Sequence, residues 1–236
     1  AGIDRNFYPN RILPLALHHN RLFIVFEGID GSGKSTQIER LGNRLTSMGY
    51  SVYNTFEPTR GPIGSLLRQS LAGETEIDPH AVAHLFAADR TEHIVNKEYG
   101  IMKKMDQDFV ILCDRFYFSS FAYHALKMDM ERVIDLNAYN MQLVKPTVNV
   151  FIDVDPAISF KRLEKCRPQL ELFETETIME EVRELYFKAF DRLKGRETVL
   201  VADGNLEEAA VEKAVWDGIQ YLFQGEDTLD INELPG

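Results

Sequence analysis

Residues 23–36 read Phe-Ile-Val-Phe-Glu-Gly-Ile-Asp-Gly-Ser-Gly-Lys-Ser-Thr, and no other stretch narrows the possible folds of this chain as far. From Gly28 to Ser35 the run satisfies G-x-x-x-x-G-K-S, a pattern that carries meaning only with a strand before it and a helix after it. Both are predicted. Leu22 to Phe26 is an unbroken apolar run, as in a strand buried on both faces. Ile38, Leu41, Leu45 and Met48 then recur at helical spacing, and Gly49 is placed to end that helix. The residue types suit phosphate binding. Gly28, Gly31 and Gly33 allow a tight bend whose N–H groups converge on phosphate oxygens. Asp30, Ser32 and Thr36 complete the loop, and the helix N-terminus adds partial positive charge. Lys34 can reach the β- and γ-phosphates, and the Ser35 hydroxyl can hold Mg²⁺. A chance Gly-rich turn is the alternative, and the flanking elements argue against it.

Strand-like and helix-like runs alternate from residue 22 onward. Strands are predicted at Ser51–Phe56, Phe109–Cys113, Thr147–Val154 and Thr198–Ala202. Pro62 to Ala72 reads as a helix with Pro in its first turn and Gly73 beyond its end. Asp78-Pro79 caps a long helix running to Asp106, bent at Gly100. Further helices are expected at Glu131–Val144, after Asp155-Pro156, at Thr177–Leu193 and at Asn205–Phe223. This alternation predicts an α/β fold, a five-stranded parallel sheet with helices on both faces. Residues 1–21 read as an extension, 22–224 as one domain and 225–236 as an acidic tail. The His18-His19 pair has no further ligand at metal-binding spacing, so solvated loop residues are the plainer reading.

The chain of 236 residues carries a net charge of −11. That balance argues against a nucleic-acid polymer as partner, so positive groups for an anionic substrate must be concentrated locally. Two cysteines, Cys113 and Cys166, are too few for a disulfide framework and suggest a reducing, cytoplasmic setting. No apolar stretch reaches the roughly 18 residues of a membrane span.

Three clusters outside the loop carry further chemistry. Phe86 and Arg90, one turn apart in Leu85-Phe86-Ala87-Ala88-Asp89-Arg90, share a helix face and could stack on a base and bond its edge. Core packing and a salt bridge are the bland alternatives. Asp114-Arg115 directly follows the third strand, where parallel sheets place ligands. There Asp114 suits Mg²⁺ organisation and Arg115 a phosphate, against the alternative of a structural ion pair. Asp153 competes for the metal role but is followed by a helix start. In Ser119-Ser120-Phe121-Ala122-Tyr123, hydroxyls could contact a base or sugar, or Ser119 could simply cap a helix.

In this order the motifs resemble the thymidylate kinase family of P-loop NTPase-fold kinases. The resemblance rests on Phe26–Thr36, Glu57-Pro58, Leu85–Arg90, Asp114–Tyr123 and a candidate basic lid at 165–174, and spans about 22–224. It implies ATP and Mg²⁺ as cofactors, a small nucleotide acceptor, a short lid and a homodimer. It also implies roles by position: Asp30 toward the acceptor 3′-hydroxyl, Phe86 on the thymine and Arg90 at its edge. Arg115 would hold the acceptor phosphate beside Asp114 and the metal. Ser120 would lie near the base, Tyr123 against the sugar 2′ position, and Arg167 in the lid would reach the transferring phosphoryl.

The chain departs from the family pattern at three places. Phe56 stands before Glu57-Pro58 where an Arg is usual, His124-Ala125 replaces Gln-Gly, and Leu172 takes an Arg position in the lid. Arg60, three residues past Glu57, is the nearest cation that could replace the missing charge. The expected activity is phosphoryl transfer from ATP to dTMP. The alternatives are a same-fold kinase with another deoxynucleotide or deoxynucleoside acceptor, or a weakly active nucleotide-binding regulator. A switch GTPase is disfavoured because no Asn-Lys-x-Asp segment is present.

Overall fold

The computed structural model describes residues 21–166 and 175–223. The predicted extension apart from Arg21, the acidic tail and most of the candidate lid, including Arg167 and Leu172, lie outside the described residues. The strands are β1 (Phe23–Glu27), β2 (Val52–Phe56), β3 (Val110–Asp114), β4 (Val148–Asp153) and β5 (Val199–Asp203). They form one sheet in the order β2-β3-β1-β4-β5 with every pairing parallel. The fold is therefore the predicted α/β arrangement.

Successive side chains in the sheet point to opposite faces, so each strand feeds two cores. Ile24, Phe26, Leu112, Val150 and Ile152 pack on one face with Leu41 and Leu45 of α1 (Lys34–Ser47) and with Val211 and Val215 of α9 (Glu208–Ile219). On the other face Phe23, Val25, Ile111 and Phe151 meet Phe118 and Phe121 of α5 (Tyr117–Tyr123) and Tyr186 of α8 (Glu176–Arg192). The central strand β1 is buried throughout, which is why it reads as an unbroken apolar run ending in Glu27.

The remaining helices are α2 (Pro62–Leu71), α3 (Pro79–Val95), α4 (Ile101–Met105), α6 (Met130–Leu143) and α7 (Pro156–Cys166). Several ends carry the caps the sequence shows. Asp78 accepts from His80 N at α3, Asp129 from Glu131 N at α6 and Thr175 from Ile178 N at α8.

The long helix expected through Asp106 is instead two helices, and the break precedes Gly100. Asn96 leaves helical geometry at ψ 133, and its side-chain oxygen accepts from the N–H groups of Glu98 and Tyr99 at 2.9 and 3.1 Å. That local turn outcompetes the helical ladder. Gly100 N then donates to Asn96 O at 3.0 Å, an approach so close that a Cβ on Gly100 would lie 2.3 Å from that oxygen. A second helix absent from the sequence reading is α5. Ser119 lies inside it rather than capping it, since Phe116 is the N-cap residue.

No helix among the described residues is long and apolar enough to cross a membrane.

Candidate active site

The carboxyl ends of β1, β2 and β3 open into a cleft of about 1100 Å³ lined by the 30–39 loop and helix start, Thr55 to Glu57, Asp114, Arg115 and residues 204–208. The loop between β1 and α1 is a backbone cradle. Gly31 has φ +76, and a Cβ there would lie 2.8 Å from Ser159 O of α7, so this position requires glycine twice over. Gly33, at φ 95, then turns the chain into α1, whose first N–H groups face the cleft.

Lys34 folds back over this loop. Its Nζ donates to Gly28 O at 3.1 Å and to Ile29 O at 3.0 Å. Burial and the neighbouring Arg115 cation lower its pKa to about 8, against the opposing pull of Asp114, Asp30 and Glu27. Beside it, Ser35 Oγ donates to Asp114 Oδ2 at 2.9 Å. The other oxygen, Asp114 Oδ1, is buried without a hydrogen-bond partner. A carboxylate oxygen without a partner and a hydroxyl whose proton is already placed form a hard oxygen pair suited to Mg²⁺. Among the described residues no group of three or more His, Cys, Asp and Glu is arranged to hold a metal ion by itself. Asp153 does not compete: Arg183 Nε and Nη2 grip its two carboxylate oxygens at 2.6 and 2.8 Å.

A second cavity of about 140 Å³ adjoins the first and shares Asp30, Glu57 and Arg115 with it. Pro58, Leu71, Phe86, Ser119, Ser120, Tyr123 and His124 complete its walls. Arg115 sits at the junction with a left-handed backbone, φ 68, a strained state for a non-glycine residue that surroundings must hold in place. Its Nη2 donates to Asp30 Oδ1 at 2.6 Å, and Tyr123 OH donates to Asp30 Oδ2 at 2.9 Å. Burial would raise the Asp30 carboxyl, but Arg115, Lys34 and the Tyr123 hydrogen bond together hold it at about 2.

Glu27 stands behind this network and was not singled out in the sequence. It is fully buried and accepts from Phe116 N, Ser119 N, Ser119 Oγ and Tyr186 OH. Burial raises its carboxyl above the usual range, opposed by these bonds and by the Arg115 charge. Its only signal in the sequence is a charge closing an apolar strand.

The remaining candidates are placed differently from one another. Phe86 lies in the second cavity with its ring 5.0 Å from that of His124. His124 is buried, and burial with the nearby Arg90 charge pushes its pKa down to about 3, so its ring is neutral. Arg90 is 1% exposed and does not line either cavity. Its Nε donates to Glu57 Oε2 at 2.8 Å, Nη1 to Ser120 Oγ at 3.0 Å and to Asn137 Oδ1, and Nη2 to Phe116 O at 3.0 Å. It backs the wall that presents Ser120.

Arg60 is exposed and outside the lining of both cavities, with its guanidinium 5.4 Å from the centre of the Phe56 ring. A cation the sequence reading missed is closer to the Glu57-Pro58 turn. Arg68 of α2 donates to Pro58 O at 3.0 Å, to Thr59 O, and to Ser65 Oγ.

Comparisons with known proteins find related sequences over most of the chain. The family model described as thymidylate kinase matches residues 26–214. A thymidylate kinase of Acholeplasma laidlawii is 36% identical over 206 residues, covering 84% of this chain and 98% of that one. A probable thymidylate kinase of Pyrobaculum calidifontis is 40% identical over 167 residues, 70% of this chain and 80% of the relative. A thymidylate kinase of Bacillus licheniformis is 32% identical over 198 residues, with 80% and 91% covered.

Proposed function

The chain belongs to the thymidylate kinase family, and from that premise we propose that its cleft transfers the γ-phosphoryl group of ATP to dTMP, giving dTDP and ADP. The observation that carries this reading is the junction of the two cavities at Asp30, Glu57 and Arg115, because phosphoryl transfer needs two ligands meeting end to end. The larger cleft suits ATP, with its phosphates on the N–H groups of the Gly28–Thr36 loop. The smaller one suits a pyrimidine nucleotide, flat against Phe86, with Ser120 beside the base and Tyr123 on the sugar side.

The residues present fit Mg²⁺: Ser35 and Asp114 would hold it. When bound there it would neutralise negative charge on the β- and γ-phosphates. The protein's own part is positioning and electrostatics. The loop amides and Lys34 fix the donor phosphates, and Lys34 meets charge that builds between β- and γ-oxygens. Arg115, held by Asp30, would receive the acceptor phosphate, with Asp30 toward the acceptor sugar; the Arg115–Asp30 bond at the cavity junction supports this. The Lys34 ammonium and Arg115 guanidinium repel one another until a phosphate lies between them. No covalent enzyme intermediate is required. Arg167 as a lid cation, a homodimeric assembly, a cytoplasmic location and residues 22–224 as the catalytic unit are part of the same proposal and rest on the family resemblance.

Turnover against dTMP, dUMP, dCMP, dGMP and thymidine at matched ATP and Mg²⁺ tests the reading. dTMP is expected to give the highest kcat/KM. Preference for another nucleotide or for thymidine would reassign the acceptor, and nucleotide binding without turnover would point to a regulator.

Phe86→Ala is expected to raise the KM for dTMP by about ten- to a hundredfold, the equivalent of a base–aromatic stack of roughly 1–3 kcal/mol, and to leave the KM for ATP alone. Equal weakening of both substrates would return Phe86 to a packing role. Arg60→Ala tests the displaced charge. If the side chain swings from Phe56 to the acceptor phosphate, its loss lowers kcat/KM for dTMP by roughly tenfold or more, the worth of a charge-assisted hydrogen bond. Unchanged dTMP kinetics would leave Arg115 and Arg68 as the nearby cations and end the idea.

A further inference from the structure

His93 is 1% exposed, lines neither cavity and belongs to none of the motifs that carry the family resemblance. Its imidazole is nonetheless committed at both nitrogens. Nδ1 lies 3.0 Å from Glu57 Oε1, and Nε2 lies 2.7 Å from Thr55 Oγ1. The carboxylate partner assigns the Nδ1 proton. Glu57 also faces Arg90, whose Nε and Nη2 approach Oε2 at 2.8 and 2.7 Å, so its carboxylate acts as an acceptor. Nδ1 therefore carries a hydrogen, and Nε2 pairs with the Thr55 hydroxyl. Thr55 and Glu57 are two residues apart at the end of β2 and project from the same side.

What His93 grips is the hub of the acceptor side. Glu57 borders both cavities, and its backbone N–H donates to Asp114 O at 3.0 Å, joining the turn to the metal-side strand end. The turn continues through Pro58 and Thr59, and Thr59 is held by the same helix: Asp89 accepts from Thr59 N at 2.7 Å and from Thr59 Oγ1 at 2.6 Å. On α3 the residues Phe86, Asp89, Arg90 and His93 follow at helical spacing. One rigid helix thus presents a ring to the acceptor base and fixes the turn beside the acceptor phosphate. An apolar side chain would fill the site of a core residue as well. A buried imidazole with two directed bonds fixes the orientation of its partners, because either bond left unmade would cost stability.

We propose that His93 is a positioning residue for phosphoryl transfer. It orients the Glu57 carboxylate and the 57–60 turn at the cavity junction through the Thr55–His93–Glu57 chain, so that the nucleoside monophosphate is aligned with the donor. The proposal rests on the function proposed above.

The test uses the full chain. His93→Phe keeps the ring and removes both bonds, His93→Asn keeps an N–H at the Nδ1 position, and Thr55→Val removes only the Nε2 partner. Steady-state kinetics with dTMP and ATP are measured beside melting temperature. His93→Phe is expected to lower kcat/KM for dTMP by about ten- to a hundredfold, the scale of a small misplacement at a reacting centre, with the KM for ATP unchanged. His93→Asn is expected to recover most of that loss, and Thr55→Val to show a smaller loss of the same pattern. Wild-type dTMP kinetics in His93→Phe, or parallel losses on both substrates without rescue by Asn, would overturn the proposal. If His93→Phe does not fold, long-range proton–nitrogen spectra of the wild-type imidazole decide. An Nδ1–H tautomer whose signals move on adding dTMP supports the role, and signals insensitive to dTMP refute it. A wild-type chain that does not phosphorylate dTMP at all would sink the parent reading before any variant is compared.

Discussion

Lys34→Ala is expected to abolish phosphoryl transfer while the chain stays folded. Lys34 Nζ rests on the carbonyls of Gly28 and Ile29, outside both hydrophobic cores, so its removal costs the fold little. In the proposed function its ammonium meets the charge that grows on the donor phosphates. Removing a fixed cation of this kind costs on the order of a hundredfold or more in kcat. The same residue carries a pH signature. In the ligand-free protein its pKa is lowered to about 8 by burial and by Arg115, so it is charged below that pH and loses its proton above it. A bound polyphosphate favours the charged form. Affinity for ATP therefore holds up to about pH 8 and then weakens by up to about tenfold per pH unit, because binding must supply the missing proton. Lys34→Ala should erase that dependence as well as turnover. A folded Lys34→Ala protein with near-wild-type kcat would mean that the loop is not the catalytic phosphate site.

Arg115→Met is expected to cost kcat/KM for dTMP by about a hundredfold or more, again the scale of losing a preorganised charge at a reacting centre. Two losses coincide. The acceptor phosphate loses its cation, and Asp30 loses the partner that Arg115 Nη2 provides at 2.6 Å. The Asp30 carboxyl then rises from about 2, since burial is left to act with less opposition. Binding of thymidine, which has no phosphate, should weaken much less than binding of dTMP. Isothermal titration with the two ligands separates these effects. If both weaken equally, Arg115 maintains the pocket wall rather than reading the phosphate.

The parts of the molecule legible in the sequence are those set by local pattern. β1 announces itself because a central parallel strand buries both faces, and the loop after it because glycines are required by geometry such as the contact of Gly31 with Ser159 O. Asp114 and Arg115 could be placed at the site because they close a strand in an α/β alternation. What escaped the sequence depends on pairings across long separations. Glu27 reaches Ser119 and Tyr186, Asp89 reaches Thr59, and His93 reaches Glu57 and Thr55, partners that no spacing rule connects. Arg90 shows the same limit from the other side. Its helical register with Phe86 suggested a shared ligand, yet its guanidinium is taken up by Glu57, Ser120, Asn137 and Phe116 O, and it shapes the pocket from behind. The end of α3 was missed because the Asn96 side chain, not a glycine or proline, breaks the helix.

End-to-end transfer between two adjoining sites can be followed by rapid quench. The protein is mixed with γ-labelled ATP, Mg²⁺ and dTMP, and products are resolved within the first turnovers. Label is expected in the β-phosphate of dTDP, formed in step with ADP, without a labelled protein intermediate. Label released as inorganic phosphate, retained covalently on the chain, or transferred only when thymidine replaces dTMP would contradict end-to-end transfer.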